Sequence, residues 1–200
     1  MSSGRAWKQN LPTQFHGDNM RTNLIVVDDF YNNVDEVREY ALNQPFGETG
    51  NYPGRRSALD TNPSIRAGVQ SIVQSAGGLI TNWNGVNYQI ATANDRTWIH
   101  HDGPCGNWAG VCYLTPNAPV SGGTGIFKLK STNSMVAPDA NDHNTPGYDY
   151  TKWEMVDRIG NLYNRLILYK TDLYHASLDY FGEGLHDGRL FQVMFFQTEF

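Results

Sequence analysis

The chain has 200 residues, with 40% hydrophobic and 18% charged side chains and a formal net charge of -5. The length is sufficient for one domain with a sizeable core, and the acidic balance gives no electrostatic reason to expect a nucleic-acid partner. Residues 1–10 contain no apolar signal-peptide core, and no run approaches the length of a membrane span. We therefore expect a cytoplasmic protein without membrane contacts.

The first part of the chain predicts an arm, a strand and a helix. Residues 1–23 are polar and contain Gly, Pro and Asn, which indicates an N-terminal arm. The apolar run Leu24–Val27 is typical of a short strand. The spacing of apolar residues then predicts a helix over 34–44, in which Asn33 is the N-cap and Glu36 completes a capping box.

A loop rich in Gly and Pro over 46–61 leads to a second helix. The loop contains Arg55 and Arg56, and two adjacent arginines usually mean surface charge. Beside a carboxylate-binding pocket they could instead meet an acidic substrate, but we favour the surface interpretation. The second helix begins with Asn62 as its N-cap and Pro63 at its first position, and a pair of glycines ends it.

From residue 79 onward the pattern changes to short strands separated by Gly, Asn and Pro. Many short strands after two helices predict a sandwich or jelly roll with helices packed on one sheet. We predict a single domain over 1–200, in which 24–80 form a strand with supporting helices and 81–200 form the β core. The predicted core strands lie near 86–92, 97–102, 108–115, 125–130, 165–170, 172–177 and 189–198.

A long insertion, residues 131–163, interrupts the β core. Its first half is polar and rich in turn residues, and its second half, which carries Tyr148, Tyr150, Trp153 and Met155, is interpreted as a short helix. A long insertion between core strands is often a lid or binding loop. A surface decoration pinned by its aromatic side chains is equally consistent with the pattern.

The residue pattern with the clearest chemistry is His100-His101-Asp102, on the strand predicted over 97–102. Alternate side chains of a strand share a face, so His100 and Asp102 should point the same way and His101 the other way. His175 is the best candidate for a second imidazole. Two His and one carboxylate leave other positions of an ion open, which is the arrangement of non-haem Fe(II) oxygenases.

Two alternatives remain open for these histidines. His101 could replace His100 as a ligand, but strand alternation would then turn Asp102 away. His175 could be a core histidine bonded to the backbone, which is common for a single His.

Two arginines open otherwise apolar strands near the end of the chain. Arg189 places a fork of hydrogen-bond donors at the edge of the core, a geometry that suits a planar carboxylate. Arg165 is interpreted as structural, paired with an interior carboxylate such as Glu154 or Asp157.

Five features follow one another along the chain: His100-x-Asp102, Tyr113-Leu114-Thr115, Gly122-Gly123-Thr124 with Phe127, His175, and Gly188-Arg189. As an ordered set over roughly residues 86–198, they resemble the prolyl-4-hydroxylase-like branch of the Fe(II)/2-oxoglutarate dioxygenases. They are also similar to the small oxygenases of that branch found in bacteria and phages.

The resemblance implies a double-stranded β-helix, a jelly-roll type of α+β, mainly β fold, in which His100, Asp102 and His175 bind Fe(II). It further implies that Arg189 holds the distal carboxylate of 2-oxoglutarate and that Tyr113 donates its hydroxyl nearby. The implied reaction consumes O2 and converts 2-oxoglutarate to succinate and CO2 while a C–H bond of a second substrate is hydroxylated.

The substrate is left open: peptidyl proline is the guess that the resemblance offers, and another protein side chain or a small molecule is equally compatible. Two other functions are also compatible with the same residues. One is a non-catalytic jelly-roll module that binds a metal or ligand, and the other is a hydrolase with Zn²⁺ on the same triad. A hydrolase, however, has no need of the carboxylate clamp that Arg189 would provide.

Overall fold

Two antiparallel sheets packed face to face form the framework, and two helices cover the outer face of the larger sheet. The computed structural model describes residues 22–142 and 145–200. Its elements in chain order are β1 Leu24–Val27, α1 Val34–Leu42, β2 Arg55–Arg56, α2 Pro63–Ser75, β3 Leu79–Ala91, β4 Trp108–Tyr113, β5 Thr124–Leu129, β6 Trp153–Ile159, β7 Leu166–Lys170, β8 His175–Ser177 and β9 Arg189–Glu199.

Within the described residues, the larger sheet has six strands in the order β1-β7-β4-β9-β3-β2, and the smaller has three in the order β6-β5-β8. All of these pairings are antiparallel. The predicted α+β, mainly β class with helices on one sheet is confirmed.

The alternation of side chains along β4 and β9 places two of the three apolar clusters of the described residues on opposite faces of the larger sheet. On β4, Trp108 and Cys112 face the helices, whereas Val111 and Tyr113 face the smaller sheet. Such strands are apolar throughout because both of their faces are buried. Arg189 is the first residue of β9 and is fully buried. By the same alternation, it lies on the face that looks toward the smaller sheet.

The two helices differ in how they begin. At α2 the Asn62 side chain accepts a hydrogen bond from the Ser64 amide at 2.9 Å, as the sequence predicts. At α1 the predicted capping box is wrong, because the Asn33 side chain accepts no amide hydrogen bond and instead donates to the Glu36 carboxylate at 2.7 Å. This helix also ends at Leu42, two residues before the predicted end.

Three further predictions need correction. Residues 97–102 do not form a regular strand: His100 makes a single bridge with His175, and Asp102, with ψ of 22°, leaves the extended conformation. The predicted helix in the second half of 131–163 is instead one 3-10 turn followed by β6, which pairs with β5. Arg165 pairs with Asp28 through two bonds of 2.6 and 2.9 Å, rather than with an interior carboxylate.

Most of the predicted N-terminal arm lies outside the described residues, and the division of the chain into 1–23, 24–80 and 81–200 stays a prediction. In the described part of the chain, no helix has the length and apolar composition needed to cross a bilayer.

Candidate metal centre

His100, Asp102 and His175 come together at one end of the space between the sheets. Each offers one ligand atom, and these atoms lie within 4.8 Å of one another, so that the group could hold a metal ion. Nε2 of His175 is 3.2 Å from the Asp102 carboxylate, and Nε2 of His100 is 3.8 Å from it. The two imidazole rings have centroids 4.5 Å apart.

Backbone pairing between two segments brings these residues together. The amides and carbonyls of His100 and His175 exchange hydrogen bonds of 2.9 and 2.8 Å, which ties the segment before Asp102 to β8. The amide of Asp102 donates to the Thr171 carbonyl at 2.8 Å. All three side chains are therefore positioned by main-chain contacts, and His175 is further fixed because β8 pairs with β5.

In both imidazoles one ring nitrogen is anchored by the backbone and the other, Nε2, faces Asp102. Nδ1 of His100 is 2.9 Å from the Trp98 carbonyl, and Nδ1 of His175 is 2.9 Å from the Leu173 carbonyl. A carbonyl can only accept, so Nδ1 of each ring carries the proton and donates it. The lone pairs then sit on the two Nε2 atoms that face Asp102, as in metal sites where the other ring nitrogen is anchored by hydrogen bonding.

The charges of the group suit a cation. Burial and the neighbouring His175 lower the pKa of His100 to about 4, although Asp102 opposes this shift. Burial raises the pKa of Asp102, but the two imidazoles and Arg56 outweigh burial and bring it to about 2. Near neutral pH, His100 is thus neutral and Asp102 is ionised, which are the forms in which these side chains bind metals.

His101 takes no part in this group. Its Nε2 lies 2.7 Å from the Asp142 carbonyl, and its Nδ1 accepts from the Gly103 amide at 3.3 Å. Both ring nitrogens are therefore occupied by the backbone. Of the two adjacent histidines, His100 is the one whose free nitrogen meets Asp102.

Arg189 lies behind the wall of the site and has no acidic partner among the described residues. Its Nε and Nη2 donate to the carbonyls of Gly122 and Gly123 at 2.9 and 3.3 Å. Its Nη1 is buried without any partner in the described part of the chain. An unpaired nitrogen on a buried cation is costly, and a carboxylate would satisfy it.

Tyr113 and Thr124 border the same region. The Tyr113 ring centroid is 5.3 Å from the Arg189 guanidinium carbon, and its hydroxyl is 2.8 Å from Oγ1 of Thr124. Burial raises the pKa of the Tyr113 hydroxyl, so that it stays protonated and can donate. Thr124 lines the cavity beside the triad, which sequence reasoning did not recognise because this residue was interpreted only as part of a glycine turn.

The triad opens into a cavity of about 530 Å³. Its floor is formed by inner-face residues of the larger sheet, among them Val111, Tyr169 and Phe195. Two further wall residues, Arg56 and Gln89, were not recognised from the sequence as site residues. The signal that could have found them is the Arg55-Arg56 pair, for which the sequence favoured a surface location.

The middle of the 131–163 insertion forms part of the cavity wall. Asp142, Thr145, Gly147 and Tyr148 all line the cavity. The Ile99 amide donates to the Gly147 carbonyl at 3.0 Å, which holds this loop against the segment that carries His100. The insertion thus combines a binding-site loop with the sheet strand β6.

Solved structures with a similar fold are Fe/2-oxoglutarate-dependent oxygenases. HygX from Streptomyces hygroscopicus, solved with nickel, 2-oxoglutarate and hygromycin B, matches 86% of this chain and 82% of its own at 13% identity and a TM-score of 0.57. A prolyl hydroxylase from Trichoplax adhaerens, in complex with a hypoxia inducible factor peptide, matches 87% and 83% at 13% identity and a TM-score of 0.55. The epimerase SnoN, in complex with Fe3+, alpha ketoglutarate and nogalamycin RO, matches 86% and 77% at 12% identity and a TM-score of 0.55. The predicted double-stranded β-helix, and with it the resemblance to this superfamily, is confirmed at the level of the fold.

No curated protein matches the sequence. A family of unknown function, DUF6445, matches residues 12–195. That match includes the triad, both arginines of the cavity region and all of the described strands up to most of β9. The chain therefore belongs to the DUF6445 family.

Proposed function

We propose that this protein is a non-haem Fe(II)/2-oxoglutarate-dependent dioxygenase. The observation that carries the proposal is the triad of His100, Asp102 and His175, in which two backbone-anchored imidazoles turn their Nε2 atoms toward an ionised carboxylate. Two His and one carboxylate, with the remaining positions open, are the ligands of this enzyme class.

The donor set fits Fe(II), and Fe(II) supplies the activation of O2 that the side chains of the protein cannot supply. His100, Asp102 and His175 would hold the ion through two Nε2 atoms and a carboxylate oxygen. The carbonyls of Trp98 and Leu173 keep the two rings in the required tautomer. Apolar side chains on the inner face of the larger sheet, among them Val111, Val193 and Phe195, line the cavity beside the triad and would limit the water around a bound ion.

Arg189 supports the assignment of 2-oxoglutarate as cosubstrate. Its partnerless Nη1 can donate to the distal carboxylate, while the Gly122 and Gly123 carbonyls fix the guanidinium plane. Tyr113, whose present hydrogen-bond partner is Thr124, would donate its hydroxyl to the same carboxylate. A zinc hydrolase would bind no cosubstrate carboxylate, so the buried Arg189 guanidinium would have no anion to pair with.

The reaction proposed is hydroxylation of a C–H bond, with succinate and CO2 as the products of the cosubstrate. Proteins of this fold include a prolyl hydroxylase, an epimerase and a carbocyclase, so the fold by itself does not decide the outcome at the second substrate. A peptidyl or small-molecule substrate and a location in the cytoplasm both follow from the sequence interpretation, and each stays a prediction.

The test is an anaerobic titration with Fe(II) and then 2-oxoglutarate, in which the weak visible charge-transfer band of a chelated 2-oxo acid is recorded. We expect the band in the parent protein and its loss in Asp102→Ala and His175→Ala. His101→Ala is the matched control, because the ring nitrogens of His101 are engaged by the backbone, and it should retain the band.

The absence of the band in the parent protein, with Fe(II) shown to be bound, would overturn the proposal. That result would favour a metal-binding module without turnover.

A further inference from the structure

A second arginine, Arg56, faces the same cavity as the triad. It lies on β2, a strand of only two residues whose partners are Gln89 and Ile90 of β3. The residue is partly buried and lines the cavity together with His100, Asp102 and His175. It is therefore not a solvated surface charge, and its role needs an explanation.

The Arg56 side chain is held in one orientation by two neighbours, Gln89 and Tyr52. Its Nε donates to Oε1 of Gln89 at 2.6 Å, and the Gln89 amide nitrogen donates to the Pro53 carbonyl at 2.7 Å. Gln89 is only 3% exposed, so this chain of hydrogen bonds is built into the interior. The guanidinium carbon also lies 3.9 Å from the centroid of the Tyr52 ring, which fixes the guanidinium over an aromatic surface.

The two terminal nitrogens of Arg56 have no hydrogen-bond partner within the part of the chain that the structure describes, and no described carboxylate forms an ion pair with it. Burial lowers the pKa of Arg56, and the nearby Asp102 opposes that shift by stabilising the charge. A metal ion on Asp102 would neutralise this carboxylate. The loaded site would then contain a fixed, half-desolvated cation that lacks a counter-ion, which favours the entry of an anion.

The size and walls of the cavity restrict what that anion can be. A volume of about 530 Å³ is in the range of small-molecule sites, and part of it must accommodate the cosubstrate. Tyr52, Trp98, Tyr148 and Phe195 contribute aromatic surface to the walls. A compact molecule with an apolar or aromatic body and one anionic oxygen group matches this combination.

We propose that Arg56, oriented by Gln89 and Tyr52, is the subsite that binds an anionic oxygen group of the substrate, so that the protein acts on small acidic molecules. This inference rests on the proposed function and assigns the class of its second substrate. The planar fork of a guanidinium matches a carboxylate with two parallel hydrogen bonds, and a phosphate presents the same chemistry.

The test measures binding of three probes that share an aromatic body to protein loaded with redox-silent Ni(II) and saturating 2-oxoglutarate. The probes are phenylacetate, phenyl phosphate and the uncharged phenylacetamide, and calorimetry gives their dissociation constants. We expect the parent to bind the anionic probes in preference to the amide, and the stronger of the two identifies the anionic group. Arg56→Gln should weaken the anionic probes by about 10- to 100-fold, because a hydrogen bond to a charged group is lost, and leave the amide unchanged.

Two variants control for folding and for general charge. Arg96→Gln removes an arginine that also stacks on a tyrosine of the cavity, at 4.1 Å from the Tyr148 centroid, but does not itself line the cavity. Its probe affinities should match those of the parent. Arg56→Lys retains the charge without the planar fork, and its losses should be smaller than those of Arg56→Gln.

Equal affinity of the parent for anionic and uncharged probes, including no binding of any of them, would overturn the inference. So would an Arg56→Gln protein that loses affinity for 2-oxoglutarate instead of for the probes, because Arg56 would then belong to the cosubstrate site. Failure of the proposed function is recognised separately, since the band of the Fe(II) protein with 2-oxoglutarate is recorded before any probe is added.

Discussion

Among single residues, Arg189 offers the most direct test of how the cosubstrate is held. It is fully buried, two of its nitrogens are bound to backbone carbonyls, and its Nη1 has no partner in the described part of the chain. Arg189→Gln should therefore raise the dissociation constant of 2-oxoglutarate by about 10- to 100-fold, since a charge-assisted contact is worth roughly 1.5–3 kcal/mol. The band of the anaerobic Fe(II) protein, titrated with 2-oxoglutarate, measures this change.

Arg165→Gln is the matched control for that substitution. Arg165 is held by Asp28 outside the cavity, so its loss should leave the affinity for 2-oxoglutarate unchanged. Fe(II) binding should survive in both variants, because neither arginine contacts the triad. An Arg189→Gln protein with the affinity of the parent would show that the cosubstrate carboxylate is held elsewhere.

The difference between Arg189 and Arg56 shows which candidate site residues a sequence can reveal. Arg189 opens a long apolar strand, and alternation along that strand places it on the same face as Phe191, Val193 and Phe195. Arg56 depends instead on the pairing of a two-residue strand with Gln89, which lies 33 positions further along the chain. No local periodicity encodes that contact, so the sequence could not distinguish Arg56 from surface charge.

At the level of helices and strands, the two helix N-termini predict different stability effects for the same substitution. Asn62→Ala removes the side-chain acceptor of the Ser64 amide and should cost about 1 kcal/mol of unfolding free energy. Asn33→Ala removes no such bond, since that side chain donates to the exposed Glu36 carboxylate, and should cost only a few tenths of a kcal/mol, as is usual for surface sites.

Chemical denaturation of the two variants beside the parent protein measures this difference. The comparison controls for residue type, because both substitutions replace an asparagine that directly precedes a helix. Equal losses in both variants would contradict the distinction drawn between the two N-termini.

The segment that carries the candidate ligands His100 and Asp102 shows a prediction that placed two side chains correctly although it assigned the wrong backbone structure. Strand alternation correctly puts His100 and Asp102 on one side of the segment, yet residues 97–102 form only one bridge, and Asp102 already leaves the extended conformation. The pairing with His175 is a contact between distant residues, and it replaces the regular ladder that local sequence would favour. Pairing between distant residues also explains β6. Its mostly exposed sequence does not predict a strand, and it forms one by pairing with the edge of β5.

The loop against the His100 segment leads to a prediction about metal affinity. A Cβ atom on Gly147 would overlap the Ile99 carbonyl oxygen, and Ile99 lies between His100 and the carbonyl of Trp98 that orients its ring. Gly147→Ala should therefore disturb the His100 imidazole and reduce Fe(II) affinity by about 10-fold, the lower end of the effect of removing an outer-shell contact.

Gly47→Ala is the matched control, since a Cβ at Gly47 would meet no atom within 4 Å. Competition with a metal chelator, followed by the anaerobic band, gives the Fe(II) affinity of both proteins. If Gly147→Ala binds Fe(II) as tightly as Gly47→Ala does, the loop does not position His100.

In the molecule as a whole, the residues proposed to hold the metal and the cosubstrate include one from each sheet. His175 lies on β8 of the smaller sheet, Arg189 begins β9 of the larger sheet, and Asp102 lies in the connection that follows β3. A cosubstrate that binds a metal at one end and Arg189 at the other would therefore link the two layers of the fold. Binding energy of this kind adds to the stability of the native state.

The thermal unfolding temperature should consequently reveal the link between metal and cosubstrate. A ligand present at one hundred times its dissociation constant adds about 2.7 kcal/mol to the free energy of unfolding. For a chain of this size, that corresponds to a rise of roughly 5–10 °C in the unfolding temperature. We expect 2-oxoglutarate to give such a rise only when Ni(II) is present, because a metal ion held by the triad would form part of the 2-oxoglutarate site. At the same 2-oxoglutarate concentration, the increment from 2-oxoglutarate in Arg189→Gln should fall to about half or less of its value in the parent, while the increment from Ni(II) remains. In His175→Ala both increments should disappear. If 2-oxoglutarate stabilises the metal-free protein as strongly as the Ni(II) form, its binding is independent of the triad, and the linkage of the two sheets through a shared metal and cosubstrate is wrong.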